Sequence, residues 1–303
     1  MANRWYPHAV SVNGTYFSGI TSYTMNGNVQ KGIMGHDGQV DPTFGAVLEQ
    51  KPDLVIRTVD LSGLIEAVGF SGLPVTELIV WWQKGVSCGT RASGSVHLKA
   101  TAALGCAVMR TIAPQHNQIC EAEVQIFVRS SNGLADPWTW TESQALGGTI
   151  ADVDHFTLGP VYITPSGGTR TNIPVNDWSF DPGINAEPVS NDGVAFADYV
   201  RIDKREPKFE CTTPDVELVG DFPMNGIVAA TEFFLRKLSP GTTGGRVANA
   251  TEEHIKITIA DGLGTMDMLQ GDHGSEASAK FSLDATYNGT DAIVAIDFTA
   301  AIA

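Results

Sequence analysis

Lys51-Pro-Asp-Leu-Val-Ile-Arg-Thr-Val-Asp60 returns about 155 residues later as Glu206-Pro-Lys-Phe-Glu-Cys-Thr-Thr-Pro-Asp215, with Pro, Thr and Asp at matching places. The echo continues outward in both directions. Upstream, Asp37-Gly38 is answered by Asp192-Gly193 and Tyr23 by Trp178. Downstream, His97-Leu-Lys99 returns as His254-Ile-Lys256, Met109 as Met266, and Glu121-Ala122 as Glu276-Ala277. Identity is thin, but residue class and order persist. Solenoid units run only about 20–50 residues, so a period this long implies one domain written twice, over residues 1–150 and 151–303.

Two similar domains on one chain hold two similar contact surfaces a fixed distance apart. Chains of this kind can join head to tail, and such heterologous contacts close into rings or run on as filaments. Assembly is therefore the first functional expectation.

Composition agrees with two globular domains: 43% of residues are apolar and 17% charged, and each half is long enough to bury its own core. The net charge of −15 is unevenly placed, with 9 Lys and Arg against 11 Asp and Glu in residues 1–150, and 10 against 23 in residues 151–303. An acidic second half repels phosphate and anionic lipid, so stable binding to nucleic acid or membrane is not expected, although transient passage of DNA is compatible with it. No apolar run approaches the roughly 18–20 residues of a membrane-spanning helix, and Met1-Ala-Asn-Arg-Trp-Tyr-Pro lacks the apolar centre of a signal peptide. Synthesis in the cytoplasm is expected. Cys88, Cys106, Cys120 and Cys211 show no C-x-x-C spacing and read as small buried hydrophobes. Asn13-Gly-Thr, Asn249-Ala-Thr and Asn288-Gly-Thr read as turns.

Short runs rich in Val, Ile, Thr and aromatics between Gly, Pro, Asn and Asp predict strands. In the first half they fall at 9–18, 20–25, 54–59, 77–84, 94–102 and 121–130. In the second they fall at 161–164, 178–180, 209–213, 229–238, 253–260 and 277–286. Val124, Ile126 and Val128, matched to Ala279, Phe281 and Leu283, form inward stripes of period two. A helix is expected over 60–68, capped by Asp60 or Ser62, with Leu61, Leu64, Ile65 and Val68 as its apolar stripe. The matching place, 214–222, has a weaker stripe. The fold class is thus mainly β: two tandem sandwich or barrel domains, each with a short helix and a long projecting loop.

Those loops, 26–51 and 181–206, are poor in periodicity, and loops beyond about 12–15 residues are usually functional or disordered. They carry Ile33, Met34, Val40, Phe44 and Val47, and Val194, Phe196, Tyr199 and Ile202. Either they are arms that pack between subunits or they are hairpins folded on their own domain.

Local chemistry is sparse. Asp261-Gly-Leu-Gly-Thr-Met-Asp lacks the third glycine and the alternating strand and helix context of a dinucleotide loop. Gly241-Thr-Thr-Gly-Gly-Arg lacks the ending of a phosphate loop and reads as a hairpin tip. Asp152, Asp154 and His155, and Asp267, Asp272 and His273, follow no metal-ligand spacing. Gly69-Phe-Ser-Gly breaks the nucleophile-elbow pattern. No enzyme activity, cofactor or metal is expected. His97/Lys99 and His254/Lys256 read as an exposed strand face. Of Trp81-Trp82, one ring is expected in the core and the other open to a partner.

The order of strand pair, long loop, strands, short helix and then Gly105-Cys-Ala-Val-Met-Arg-Thr-Ile-Ala-Pro…Glu121-Ala-Glu-Val-Gln-Ile-Phe-Val resembles the tail tube domain of long-tailed bacteriophages, shared with contractile-tail and type VI secretion tubes. In particular it resembles non-contractile tail tube proteins that carry this domain twice. The resemblance implies two packed sheets with a flanking helix, inner sheets that join across subunits around a channel, and a homotrimeric, pseudo-hexameric ring stacked along the tail. The two long loops would be arms bridging neighbours. The implied setting is the virion tail, with a tape measure, tail terminator and distal tail protein as partners. A baseplate hub or distal tail ring is the nearest alternative. A carbohydrate-binding sandwich using Trp138 and Trp140 as sugar platforms is a second.

Overall fold

A computed structural model describes residues 4–35, 41–86, 91–92, 94, 96–146, 152–165, 168–216, 225–241, 245–271 and 277–302. Among the described residues the chain is mainly β, with twenty-three strands and one helix. The first half holds β1 (Arg4–Val12), β2 (Thr15–Phe17), β3 (Ile20–Asn26), β4 (Val29–Met34), β5 (Phe44–Gln50), β6 (Asp53–Thr58), α1 (Leu61–Val68), β7 (Leu73–Val75), β8 (Leu78–Gly85), β9 (His97–Ala102), β10 (Gly105–Ile112), β11 (Ala122–Val128) and β12 (Trp138–Gln144). One layer runs β12-β9-β8-β1-β2 and the other β7-β10-β11-β6-β3. Val10, Val80 and Ala100 of the first meet Ile56, Met109 and Val124 of the second in one buried cluster.

The second half holds β13 (Phe156–Pro165), β14 (Thr171–Ile173), β15 (Asp177–Asp181), β16 (Ile184–Val189), β17 (Tyr199–Arg205), β18 (Lys208–Thr213), β19 (Asn225–Lys237), β20 (His254–Ile259), β21 (Gly262–Gln270), β22 (Ser278–Ala285) and β23 (Val294–Ala300). Its pairings repeat those of the first half in order. β13 joins β14 and β19, β19 joins β20 and β21, β20 joins β23, β21 joins β22, β22 joins β18, and β18 joins β15. Irregularities recur too: the shift between Pro7 and Ala9 on β1 has its counterpart between Leu158 and Val161 on β13. The decapeptides that opened the sequence make the same bonds. The amide of Val128 donates to Pro52 O at 3.0 Å and that of Ala285 to Pro207 O at 2.9 Å; the amides of Asp60 and Asp215 donate to Thr58 Oγ1 and Thr213 Oγ1.

One difference centres on Asn13. β19 runs unbroken from the β21 layer into the β13 layer, whereas its counterpart is split into β7 and β8. At the split, Asn13 Oδ1 accepts the amides of Thr76 and Glu77, and Asn13 Nδ2 donates to Pro74 O. Asn13, with φ 51°, and Gly14, with φ 89°, form a tight turn, so the strand expected over 9–18 is two strands. α1 matches its expected span: Asp60 accepts from the amides of Gly63 and Ser18, and Leu61, Leu64, Ile65 and Val68 are buried. Of 214–222, residues 217–222 lie outside the described residues.

Other expectations are corrected. Both long loops are β-hairpins, β4–β5 and β16–β17, with the same register shift near the base. The glycine-containing run at 261–267 lies largely in strand β21. Gly262 sits so near the backbone of Asp284 that a Cβ would collide with it, which explains a glycine inside a strand. The stripe Val124, Ile126, Val128 matches Phe281, Leu283, Ala285 rather than Ala279, Phe281, Leu283, because Ile56 faces Val124 and its counterpart Cys211 faces Phe281. Trp81 and Trp82 are both buried, Trp81 stacking on Tyr16 and Trp82 on Trp140.

The halves share one sheet. Ile112 at the end of β10 pairs with Phe180 of β15, and the joint continues through a bridge between Gln115 and Asp177 and the bond from the His116 amide to Asn176 O. Phe70 packs edge-on against Phe180, so the core runs across the joint.

His97 and His254 are fully buried rather than on an exposed face. Each fixes a loop to its sheet: His97 contacts Ala92 O and Gln144 O, and His254 contacts Ala248 O. His254 Nδ1 accepts the Lys237 amide at 3.1 Å, so that nitrogen bears no proton and the ring is neutral. Burial first, and nearby cations after it, pull the His254 pKa below its ordinary 6.5; burial and then His97 do the same to His8. A base with a lowered folded pKa favours folding above its unfolded value and opposes it below. The urea midpoint should therefore fall as pH drops below 6.5, and His254→Gln should lessen the slope. A midpoint indifferent to that pH change would contradict the neutral, buried assignment.

Candidate assembly surface

The two hairpins share an architecture and differ in surroundings. β16–β17 lies across the first half, where Ile184 joins Cys106, Val108 and Phe127 in a buried cluster against which Ala186, Val200 and Ile202 pack. Main-chain bonds tie down its tip: the Ser130 amide to Ala197 O at 2.8 Å, the Phe196 amide to Gly133 O at 2.9 Å and the Gln50 amide to Ala195 O at 2.6 Å. Arg129 Nη1 donates to Asp198 O and Arg110 Nη1 to Ile184 O. Gly133 has φ 71°, and a Cβ there would collide with Val194; one at Gly72 would collide with Ile202. Val194, Phe196 and Ile202 thus spend their contacts inside the chain, while Tyr199 remains exposed.

Apart from the Gln50–Phe196 bridge at its base, β4–β5 pairs only with itself among the described residues. Ile33, Met34, Phe44, Val47 and Leu48 are exposed on it, and Val40 lies outside the described residues. Several apolar side chains on one solvated hairpin are a patch of the sort that marks a contact site.

The internal repeat relates the buried contacts of the second hairpin to exposed counterparts. Ile184, 2% exposed, matches Val29 at 41%, and Cys106 at 6% matches Leu263 at 46%. Ile112 at 0% matches Leu269 at 56%, and Phe180 matches Met25. The outer edge of β3 and the Met266–Gln270 end of β21 on the side away from β22 have no strand partner among the described residues. Their counterparts, β15 and the end of β10, satisfy one another inside the chain.

Beyond the apolar seat of β16–β17, the outward face of the long sheet carries paired charges. Arg57 meets Glu123 at 2.8 Å, and Glu210 lies between Lys208 at 2.7 Å and Lys280 at 2.9 Å. Such exposed pairs add little stability but lower the field the face presents. The Arg57 pKa is raised, first by its hydrogen bond to Glu123, and that of Glu210 is lowered by Lys208 and Lys280.

The remaining sequence candidates stay apart. Cys106, Cys120 and Cys211 are free and buried, with thiol pKa values raised by burial; Cys88 lies outside the described residues. Among those residues no group of three or more His, Cys, Asp or Glu gathers. Asp154 pairs with Lys237 at 2.9 Å, and Asp272 and His273 lie outside. Trp138 and Trp140 lean on one another on β12, with Trp140 exposed. No helix among the described residues is long and apolar enough to cross a membrane.

Compared with known proteins, the chain matches no family model and no curated protein.

Ile184→Ala should cost about 2–5 kcal/mol, the usual loss for a buried isoleucine, and should speed amide exchange at Ser130, Phe196 and Gln50 while leaving that of the rest of β4–β5 unchanged. Unaltered exchange at Ser130 and Phe196 would show that the hairpin is not held by this cluster.

Proposed function

We propose that this chain is a major tail tube protein of a long, non-contractile bacteriophage tail, composed of two tandem tail-tube-like domains. Three chains join head to tail into a ring of six similar lobes, and rings stack around a channel through which DNA passes. The observation that carries this reading is the joint between β10 and β15, whose two counterparts, the β21 end and the β3 edge, have no strand partner among the described residues. A surface satisfied once inside the chain and left unsatisfied once at each end is what head-to-tail association requires. Open strand edges aggregate unless paired, and ring closure pairs them.

The first hairpin then does for a neighbouring chain what the second does within its own. Val29 and Val47 stand where Ile184 and Ile202 stand, and Leu263 waits where Cys106 is covered. The polar face of the joined sheets lines the channel. Arg57 is held by Glu123, and Lys208 and Lys280 share Glu210 there, so they offer less to a passing phosphate, and DNA slides rather than binds. The protein acts by shape and has no catalytic role.

Negative-stain microscopy of the purified chain should show hollow rings or tubes, and a chain lacking residues 26–51 should stay folded and unassembled. Tubes formed by that deletion, or solid particles from the intact chain at high concentration, would contradict the proposal.

A further inference from the structure

Where the two halves meet, the turn after β10, the irregular stretch of β13, the end of β14 and the loop after β19 line an open cleft of about 480 Å³. Its charged and polar lining is Arg236, Arg246, His116, Asn117 and Asn172, with no Asp or Glu among the described lining residues. That is unusual on a chain of net charge −15, most of whose excess carboxylate is in this same half.

Arg236 is the telling residue. Its Nε is buried and has no hydrogen-bond partner among the described residues, and a charged donor left this way carries a desolvation cost. Burial first, and the charge of Arg246 second, lower its pKa, and both arginines line the same cleft. Arg246 is placed by Asn117, whose Oδ1 accepts from Arg246 Nη2 at 3.1 Å across the junction of the halves. Nearby Arg170 faces a different group, the Glu232 carboxylate at 2.6 Å. The register that matches Trp82 to Leu235 matches Gln83 to Arg236. Gln83 is neutral and donates to Ala92 O at 2.9 Å, so the cation occurs only in the half where the cleft lies.

We propose that this cleft binds a small oxyanion of the phosphate class, held by Arg236 and Arg246 with His116 and Asn172 at its sides. A guanidinium presents a planar fork of donors that fits two oxygens of such an anion. The anion offsets the repulsion between the two arginines that line the cleft. The site does not depend on assembly and does not rest on the tube reading.

The probe is inorganic orthophosphate, followed by 31P line width and by Tm at constant ionic strength against chloride. The intact chain should broaden the line and gain Tm, and Arg236→Gln and Arg246→Gln should bind roughly tenfold or more weakly. Arg57→Gln, outside the cleft, should bind as the intact chain does. A short DNA duplex at equal phosphate concentration should not compete, because the surrounding carboxylates repel a polyanion. No broadening with the intact chain, equal broadening with Arg236→Gln, or competition by the duplex would overturn the proposal. The titration of the intact chain decides even if a variant fails to fold.

Discussion

Backbone groups at a strand edge must be paired, and the arrangement of this molecule follows from how it meets that demand at the end of β10. Inside the chain β15 supplies the partner, Ile112 against Phe180. This joint makes one sheet of two halves, draws both into one buried cluster and brings β16–β17 across the first half. The same demand at the end of β21 and along β3 goes unmet among the described residues. An edge of this kind invites another strand, and the chain carries both members of the pair that would answer it.

Why two hairpins of one design fare differently lies in the surface opposite them rather than in themselves. Cys106, Val108 and Phe127 give β16–β17 an apolar seat. Their counterparts in the second half are Leu263, Thr265 and Asp284, of which Leu263 and Asp284 are exposed. Among the described residues the first hairpin packs on no such seat, and its apolar residues are exposed. A second copy would supply one, and that same copy would supply the strand edge.

Much of the fold was legible because the repeat preserved residues that make backbone bonds. Pro52 and Pro207, Thr58 and Thr213, and Asp60 and Asp215 make equivalent bonds in both halves, and the Asp60 cap and apolar stripe define α1. β10 was hard to read because Ala107 and Met109 face the core while Cys106 and Val108 lie under β16–β17, which erases alternation. β21 was hidden by Gly262 and Gly264. The two-residue slip between β11 and β22 escaped detection because a shift of two leaves every side chain on its original face. The buried histidines looked exposed because strand parity cannot show that a loop will cover a face. In the candidate site, the apolar residues of both hairpins were visible, but their different fates were not, since the distinction rests on which half the joint of β10 and β15 sets beside each hairpin.

The central claim is that the open edges reproduce between chains the joint that β10 and β15 make within one. Met25→Cys and Leu269→Cys placed together test it most directly, since they occupy the positions of Phe180 and Ile112. Mild oxidation of the double variant should yield a covalent series of multimers, with neither single variant doing so. A double variant that stays monomeric under oxidation while it still assembles would contradict the account.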